Sequence, residues 1–370
     1  MATAPVRTYW HCLPTGDEGA ESPHVSEAAL RRFSARVLRA AGMAAEDAAA
    51  TAACLVLADL RGVGGHGVFR LLQYTDSLAA GEINPRPQVR VVRERGASAL
   101  IDGDGGYGYR PALEGMALAV RLAVQFGVGC VGVRQSHHFG MAACYPLRAA
   151  EAGAVGFATT NSLPQVTAPG GSRAVVGNNP YAFAVPRPGR RRPLVVDLAL
   201  TEARFGIAGV AAAKGGALPI GLALDTQGLP TTDPAAALAS GILVAIGRQK
   251  GYGLSVAAEV LAAALTGSPV ALDSHCHRRA EGGVGHFLLA LEPDMFVDGA
   301  VFDAAVETLC AHIKSVPPAP GAEAVYLPGE LGWRTFDQRR REGIPLPQPL
   351  FDSLQELAAR LGVTGPLRAA

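Results

Sequence analysis

The folds open to this chain are limited first by its punctuation: 45 glycines and 26 prolines among 370 residues leave few uninterrupted stretches for long elements. Large aromatics are scarce beside them, 12 Phe, 8 Tyr and 2 Trp, so the chain is rich in turns and loops, where functional groups tend to sit. Hydrophobic residues still make up 49% and charged ones 18%, enough apolar surface for a large core and too ordinary a balance for disorder. At roughly 100 to 200 residues per domain the length implies two or three domains. No repeat of about 20 to 50 residues and no heptad run is visible, which points away from solenoids and coiled coils.

Lys plus Arg number 33 and Asp plus Glu 32, a formal charge of +1, so neither nucleic acid nor a membrane surface is an expected partner. The cysteines Cys12, Cys54, Cys130, Cys144, Cys276 and Cys310 form no CxxC and no regular spacing, so no zinc ribbon, no disulfide framework and no bound metal is expected. Residues 1–21 read as a flexible leader without the basic and apolar regions of an export signal, and no apolar run reaches about 18 residues. Those features point to the cytoplasm.

Ser26 and Glu27 open a helix with Leu30, Phe33, Val37 and Leu38 at helical spacing, ended by Gly42. An Ala-rich helix over 44–60 then runs into Arg61-Gly62-Val63-Gly64-Gly65-His66-Gly67, and a third from Val68 ends near Gly81. The opening third therefore reads as a helical subdomain. A strand at 97–102, a turn at 103–109, a helix at 111–126 and a strand at 128–133 follow in order. Short apolar runs at 155–160, 182–185, 194–196 and 286–291 predict strands, and helices are expected at 201–213, 252–266, 299–314 and 350–361.

The turn Gly103-x-Gly105-x-x-Gly108 matches the dinucleotide pattern in a strand, turn, helix setting. The next strand, however, runs into Arg134-Gln135-Ser136-His137-His138 instead of ending on an acid that holds a ribose, so a plain tight turn is the better reading. His66 is the most suggestive residue, because flanking glycines free its ring to meet a small substrate and its solution pKa suits proton transfer. A histidine that only satisfies a helix end is the bland alternative. Arg70 offers a bidentate fork to a carboxylate, or else a solvated helix face. His137 and His138 are adjacent on an extended backbone and point to opposite sides, which disfavours a shared metal, and His275-x-His277 reads as a solvated loop. Asp197 closes an apolar run where it can orient a histidine or a ribose, or cap a helix at Thr201. Gly247-Arg248-Gln249-Lys250-Gly251 precedes a helix and presents amides and cations suited to phosphate.

Asp59-x-Arg61-Gly62, Gly65-His66-Gly67, Arg70, Ser136-His137-His138-Phe139-Gly140, Thr160-Asn161, Asn178-Asn179-Pro180, Asp197-x-Ala199, Lys250-Gly251-Tyr252-Gly253-Leu254 and Pro328-Gly329-Glu330 occur in one order over roughly 25–365. Together they resemble the type 2 malate/L-lactate dehydrogenase family. The resemblance implies an α+β, non-Rossmann architecture: a mixed, largely antiparallel cofactor domain over 91–298 and a helical domain combining 22–90 with 299–370. It also implies a homodimer, NAD or NADP as cofactor, and hydride transfer to C2 of a 2-oxo acid or a pyruvyl-like group, or the reverse oxidation of a 2-hydroxy acid. His66 would donate the proton, Asp197 would be the relay carboxylate, and Arg70 and His138 would bind substrate. His138, Phe139, Gly140, Asn178, Asp197, Leu198, Ala199, Leu200, Thr201, Gly247, Arg248, Lys250, Pro328, Gly329 and Glu330 would line the cofactor.

The family's relay serine before the histidine is here Gly65, which has no side chain to orient His66. Gly65 either enlarges the pocket for an unusual substrate or weakens catalysis. The family's Gly-Lys, Gly-Trp-Ala and Pro-x-Gly-Gly are replaced by Gly206-Ile207, Gly221-Leu222-Ala223 and Ala245-Ile246-Gly247-Arg248. Cyclic-imine carboxylate reduction and a nucleotide-binding homologue with little activity are the alternatives, and Arg134, Arg173 and Arg248 are the candidates for a 2′-phosphate contact.

Overall fold

The computed structural model describes residues 22–189, 191–204, 206–274, 282–365 and 367, so the expected leader over 1–21 and the His275-x-His277 loop lie outside the described residues. In chain order the elements are β1 (His24–Val25), α1 (Glu27–Ala40), α2 (Ala45–Leu60), α3 (Arg70–Ala79), β2 (Arg90–Arg95), β3 (Ser98–Asp102), α4 (Tyr109–Phe126), β4 (Val128–Ser136) and α5 (Cys144–Glu151). Then come β5 (Val155–Thr160), β6 (Val166–Thr167), β7 (Ala174–Val176), β8 (Tyr181–Val185), β9 (Leu194–Leu198), α6 (Gly206–Ala213), β10 (Ala223–Leu224), β11 (Pro230–Thr231), α7 (Pro234–Ser240) and β12 (Ile242–Leu243). The chain continues through α8 (Gln249–Glu259), β13 (Val284–Leu291), α9 (Gly299–Ser315), α10 (Glu330–Glu342), β14 (Ile344–Pro345) and α11 (Gln348–Arg360).

A seven-stranded sheet of order β2-β3-β4-β13-β5-β8-β9 forms the centre. Every neighbouring pair in it is antiparallel except β3 with β4, the one pair joined by a helix crossover, α4. Helices α4 and α5 pack on this sheet, and α2 packs on them. Helix α2 is therefore buried on several sides (Ala48, Leu55, Val56, Ala58), which its Ala-rich sequence permits. The chain's ends meet: β1 pairs with β14, Val25 opposite Ile344, while α11 rests on α3 and α10 on α2. A five-stranded sheet of order β11-β10-β12-β6-β7 carries α6 and α7 over its own small core of Ala208, Leu218, Ala223, Ala237 and Leu243.

Three expectations change. The helix expected at 201–213 starts only at Gly206, because distant segments take the preceding backbone: Ile246 N–H donates to Leu200 O (3.0 Å) and Glu202 N–H to Val244 O (2.8 Å). With no helix at Thr201, Asp197 caps nothing there. The helix expected at 252–266 begins earlier, at Gln249, and widens into a π-turn over Val260–Ala264. Helix α10, all but lacking an apolar stripe in Glu330–Glu342, is an addition.

The glycine turn after β3 gives its amides to its own chain. Gly103 N–H donates to Arg134 O (2.9 Å), Gly105 N–H to Gln135 O (2.8 Å) and Gly108 N–H to His138 O (3.1 Å). Those donors are closed to a pyrophosphate, and the turn instead positions His138.

Candidate active site

Helix α2 ends at Arg61 and hands over to a single tight turn, Gly64–His66, that leads into α3. The buried carboxylate of Asp59 fastens this turn by accepting the Val68 N–H at 2.8 Å. The fit requires Gly67, since a Cβ there would lie 1.7 Å from Asp59 Oδ1. Arg70 reaches back from α3, its Nε donating to Gly65 O and its Nη1 to Gln73 Oε1, both at 2.8 Å. Helix α3 thereby locks the arginine beside the histidine. The carbonyl it grips belongs to the residue whose side chain the family would use as relay.

The His66 and His138 rings stack at 5.6 Å between centroids and 12° between planes. His138 is held from behind: its Nδ1 shares a 2.5 Å hydrogen bond with the Tyr74 hydroxyl, which bonds the buried Tyr109 hydroxyl at 2.8 Å. Crowding by protein, with the positive charges of Arg70 and Arg204 adding to it, pushes His66 down to about 3, so its imidazole is neutral at physiological pH. His137 turns to the interior, as alternation on an extended backbone requires. Phe139 is also interior, its ring stacked on His286 at 4.6 Å and its carbonyl taken by the Tyr145 hydroxyl. Its side chain cannot line a cofactor.

A second line of predicted residues gathers along the free edge of β9. Val195 N–H donates to Pro328 O (3.1 Å), pressing the Pro328 turn against the strand so closely that a Cβ on Gly329 (φ +82°) would lie 2.7 Å from Val195 Cβ. Leu327 N–H donates to Glu330 Oε2 at 2.8 Å, and Lys314 pairs with the same carboxylate at 2.7 Å. Leu200 N–H donates to Asn178 O (2.9 Å) and Thr201 bridges to Ala245. Asn178, 197–201, 245–250 and 328–330 therefore form one seam, although Leu200 and Thr201 themselves are buried. The Gly247 amide that the sequence offers to phosphate is taken by Glu202 Oε1 at 3.1 Å. Arg134, one of the 2′-phosphate candidates, is paired with Asp102 at 3.1 Å.

Asp197 faces solvent on this seam, but protein crowds its carboxyl and pushes it up to about 6, against the opposing pull of the Ala143 amide and the Arg61 charge. Oδ2 accepts the Ala143 N–H at 3.4 Å. Among the described residues no hydrogen bond or ion pair joins Asp197 directly to His66. Arg61 is the partner that sequence reasoning left unassigned. It is 7% exposed, stacks over the Trp333 indole at 4.2 Å, and its Nη1 has no hydrogen-bond partner among the described residues. Tyr74, one turn after Arg70 on the same helix face, was likewise not singled out; the i, i+4 spacing was the available signal.

A mixed, largely antiparallel sheet, a histidine turn fastened beside an arginine, and a seam at the sheet edge characterise this mixed α/β protein. Residues 25–355 match the family model described as malate/L-lactate dehydrogenase, and the chain belongs to that family. It is 35% identical over 343 residues to a malate dehydrogenase of Pyrococcus abyssi, covering 91% of this chain and 94% of the relative. To an L-sulfolactate dehydrogenase of Methanocaldococcus jannaschii it is 36% identical over 330 residues, covering 88% and 94%. The solved malate dehydrogenase of Pyrococcus horikoshii superposes with a TM-score of 0.86 at 33% identity, over 95% of this chain and 99% of that one. The family supports an oxidoreductase acting on hydroxy acids. Among the described residues no helix is long and apolar enough to cross a membrane.

Proposed function

We propose that this protein interconverts a 2-oxo acid and the corresponding 2-hydroxy acid with NAD(H) or NADP(H), His66 exchanging the proton. The observation that carries this reading is the geometry of the glycine turn, where the His66 ring stacks on His138 and Arg70 is anchored on the Gly65 carbonyl beside it. When bound, the nicotinamide supplies or takes the hydride at C2. Arg70 holds the substrate carboxylate through the part of its guanidinium that Gly65 and Gln73 leave open. Burial is the main cause that keeps His66 neutral; the carboxylate offsets the Arg70 charge that adds to it and brings a negative charge beside the ring, so substrate binding raises the affinity of His66 for a proton. The imidazolium then neutralises the charge developing on the C2 oxygen. In the oxidation direction the resting neutral ring is ready to take the hydroxyl proton. His138, braced by Tyr74 and Tyr109, keeps the His66 ring in plane by stacking, a support for the orientation that the missing serine does not give.

The seam suits a dinucleotide in one respect that requires a ligand: a nearly buried guanidinium nitrogen at Arg61 lacks an acceptor beside the open carboxylate of Asp197. We also infer a homodimer, supported by the exposed apolar side chains Phe296, Val301 and Leu309 on and beside α9. The test is the loss of reduced-nicotinamide absorbance with NADH and NADPH separately, against pyruvate, oxaloacetate, longer 2-oxo acids and cyclic imine acids. Turnover on an oxo acid that falls by about 10²- to 10⁴-fold in His66→Ala is the expected result. Turnover confined to imine acids, or turnover indifferent to His66, contradicts the reading.

A further inference from the structure

Arg61 is the only buried Arg or Lys among the described residues, and the proton chemistry above does not use it. It stands where three parts of the site converge. It ends α2 immediately before the His66 turn, it stacks on Trp333 of α10 just beyond the Pro328 turn, and it faces Asp197 at the end of β9. Asp197 is the acid whose charge acts most strongly on it, yet no ion pair within 4.0 Å closes between them among the described residues. The nearby Arg192, which also stacks on Trp333 at 4.6 Å, already has Asp337 at 2.5 Å. Arg61 Nη1 is thus a buried donor without an acceptor, an unfavourable arrangement unless a ligand completes it.

Charge decides what kind of oxygen completes it. One guanidinium and one carboxylate already balance, so a phosphate or carboxylate at this place would meet the repulsion of Asp197 as well as the attraction of Arg61. A neutral carbonyl satisfies Nη1 without that conflict. Asp197 in turn gives one oxygen to the Ala143 amide and faces solvent, leaving acceptor capacity for a donor. A free N–H beside a free carboxylate oxygen is the complement of a primary carboxamide, which carries one carbonyl and one NH₂ group. We propose that Arg61 and Asp197 form a carboxamide clamp that receives the nicotinamide amide, Arg61 donating to its carbonyl and Asp197 accepting from its NH₂. The proposal rests on the nicotinamide-dependent reading above and makes both residues cofactor-positioning groups.

The test is a set of dissociation constants, measured by calorimetry without substrate, for NADH or NADPH, for the matching 3-acetylpyridine analogue (methyl in place of NH₂), and for ADP-ribose or its 2′-phosphate. In the wild type the analogue should bind about tenfold or more weakly than the carboxamide form. In Asp197→Ala the two forms should bind equally, at the level of the analogue. Arg61→Met, which keeps an apolar stem against Trp333, should weaken both forms by about tenfold or more. ADP-ribose, lacking the pyridine ring, should bind all three proteins alike, and its binding shows that a variant is folded. Equal binding of carboxamide and acetyl forms to the wild type, or parallel losses for ADP-ribose and dinucleotide, overturns the clamp while leaving the oxidoreductase reading intact. Should Arg61→Met not fold, the wild-type contrast decides alone. Failure of every one of these ligands to bind the wild type overturns the nicotinamide reading, and the clamp with it.

Discussion

The His66 turn and the β9 seam are built by different means. Around His66 the backbone is fastened by side chains: the Asp59 carboxylate on the Val68 amide, the Arg70 guanidinium on the Gly65 carbonyl, the Tyr74 hydroxyl between His138 and Tyr109. Along the seam main-chain bonds join the segments, Val195 to Pro328, Leu200 to Asn178 and Ile246 to Leu200, with the Glu202 and Glu330 carboxylates adding bonds to the Gly247 and Leu327 amides. Side-chain fastenings fix a reacting group in one orientation, and each depends on one residue type. Main-chain fastenings leave side chains free to vary, as the seam's departure from the family pattern at Ala245-Ile246-Gly247-Arg248 illustrates. Proton transfer needs the first kind of precision, while contact with an extended cofactor can rely on the second.

Substitutions should separate the two regions. The largest structural effect is expected for Asp59→Ala, which strips the Val68 amide of its buried acceptor. It should lower the free energy of unfolding in urea by about 1 to 3 kcal/mol and reduce turnover as His66 loses its fixed position. Tyr74→Phe removes a hydroxyl but leaves the ring against Tyr107 at 4.2 Å. A stability cost of about 1 kcal/mol is expected, with a drop in kcat larger than any change in cofactor affinity. On the seam, Leu198→Ala trims a half-buried side chain from a strand held by its backbone, and its stability change should stay within about 0.5 kcal/mol. A loss at Leu198 as large as that at Asp59 would erase the distinction.

The pH dependence sharpens the same contrast. Reduction uses the protonated form of a group pushed down to about 3. Above that value the protonated fraction falls about tenfold per pH unit, so kcat/KM for reduction should decline across the neutral range without a plateau near 6.5. Oxidation uses the neutral form and should show no such decline from His66. His286 is also pushed down to about 3, by complete burial, with His137 adding to it. Its neutral state contributes stability that is fully present above about pH 6.5 and is lost as the pH falls towards 3, because the unfolded chain binds the proton that the folded chain refuses. A urea titration at a series of acid pH values reads that slope.

What was legible in the sequence follows the same division. The His66 turn was readable because its parts, from Asp59 to Arg70, lie within a dozen residues, and glycine spacing forces a tight turn there. The strand, turn, helix and strand over 97–133 were readable from local periodicity. The helix expected at 201–213 failed at its start because the competing bonds come from Val244, Ile246 and Asn178, far away in sequence. Phe139 was expected at the cofactor because the motif holds it next to His138, but alternation and its stack on His286 carry it inward. Arg61 stood in plain view within Asp59-x-Arg61-Gly62, but its partners Trp333 and Asp197 are brought to it only by the fold.

The central claim is that His66 rests neutral and becomes the proton donor only when a substrate anion engages Arg70. A proton NMR titration of the His66 ring, assigned by comparison with His66→Ala, measures this directly in the free protein and with reduced cofactor plus oxamate as a non-reacting anion. The account predicts a ring neutral down to about pH 3 when free, with its titration moved upward in the complex. A free His66 that titrates near the ordinary histidine value of about 6.5, unmoved by the anion, would contradict it.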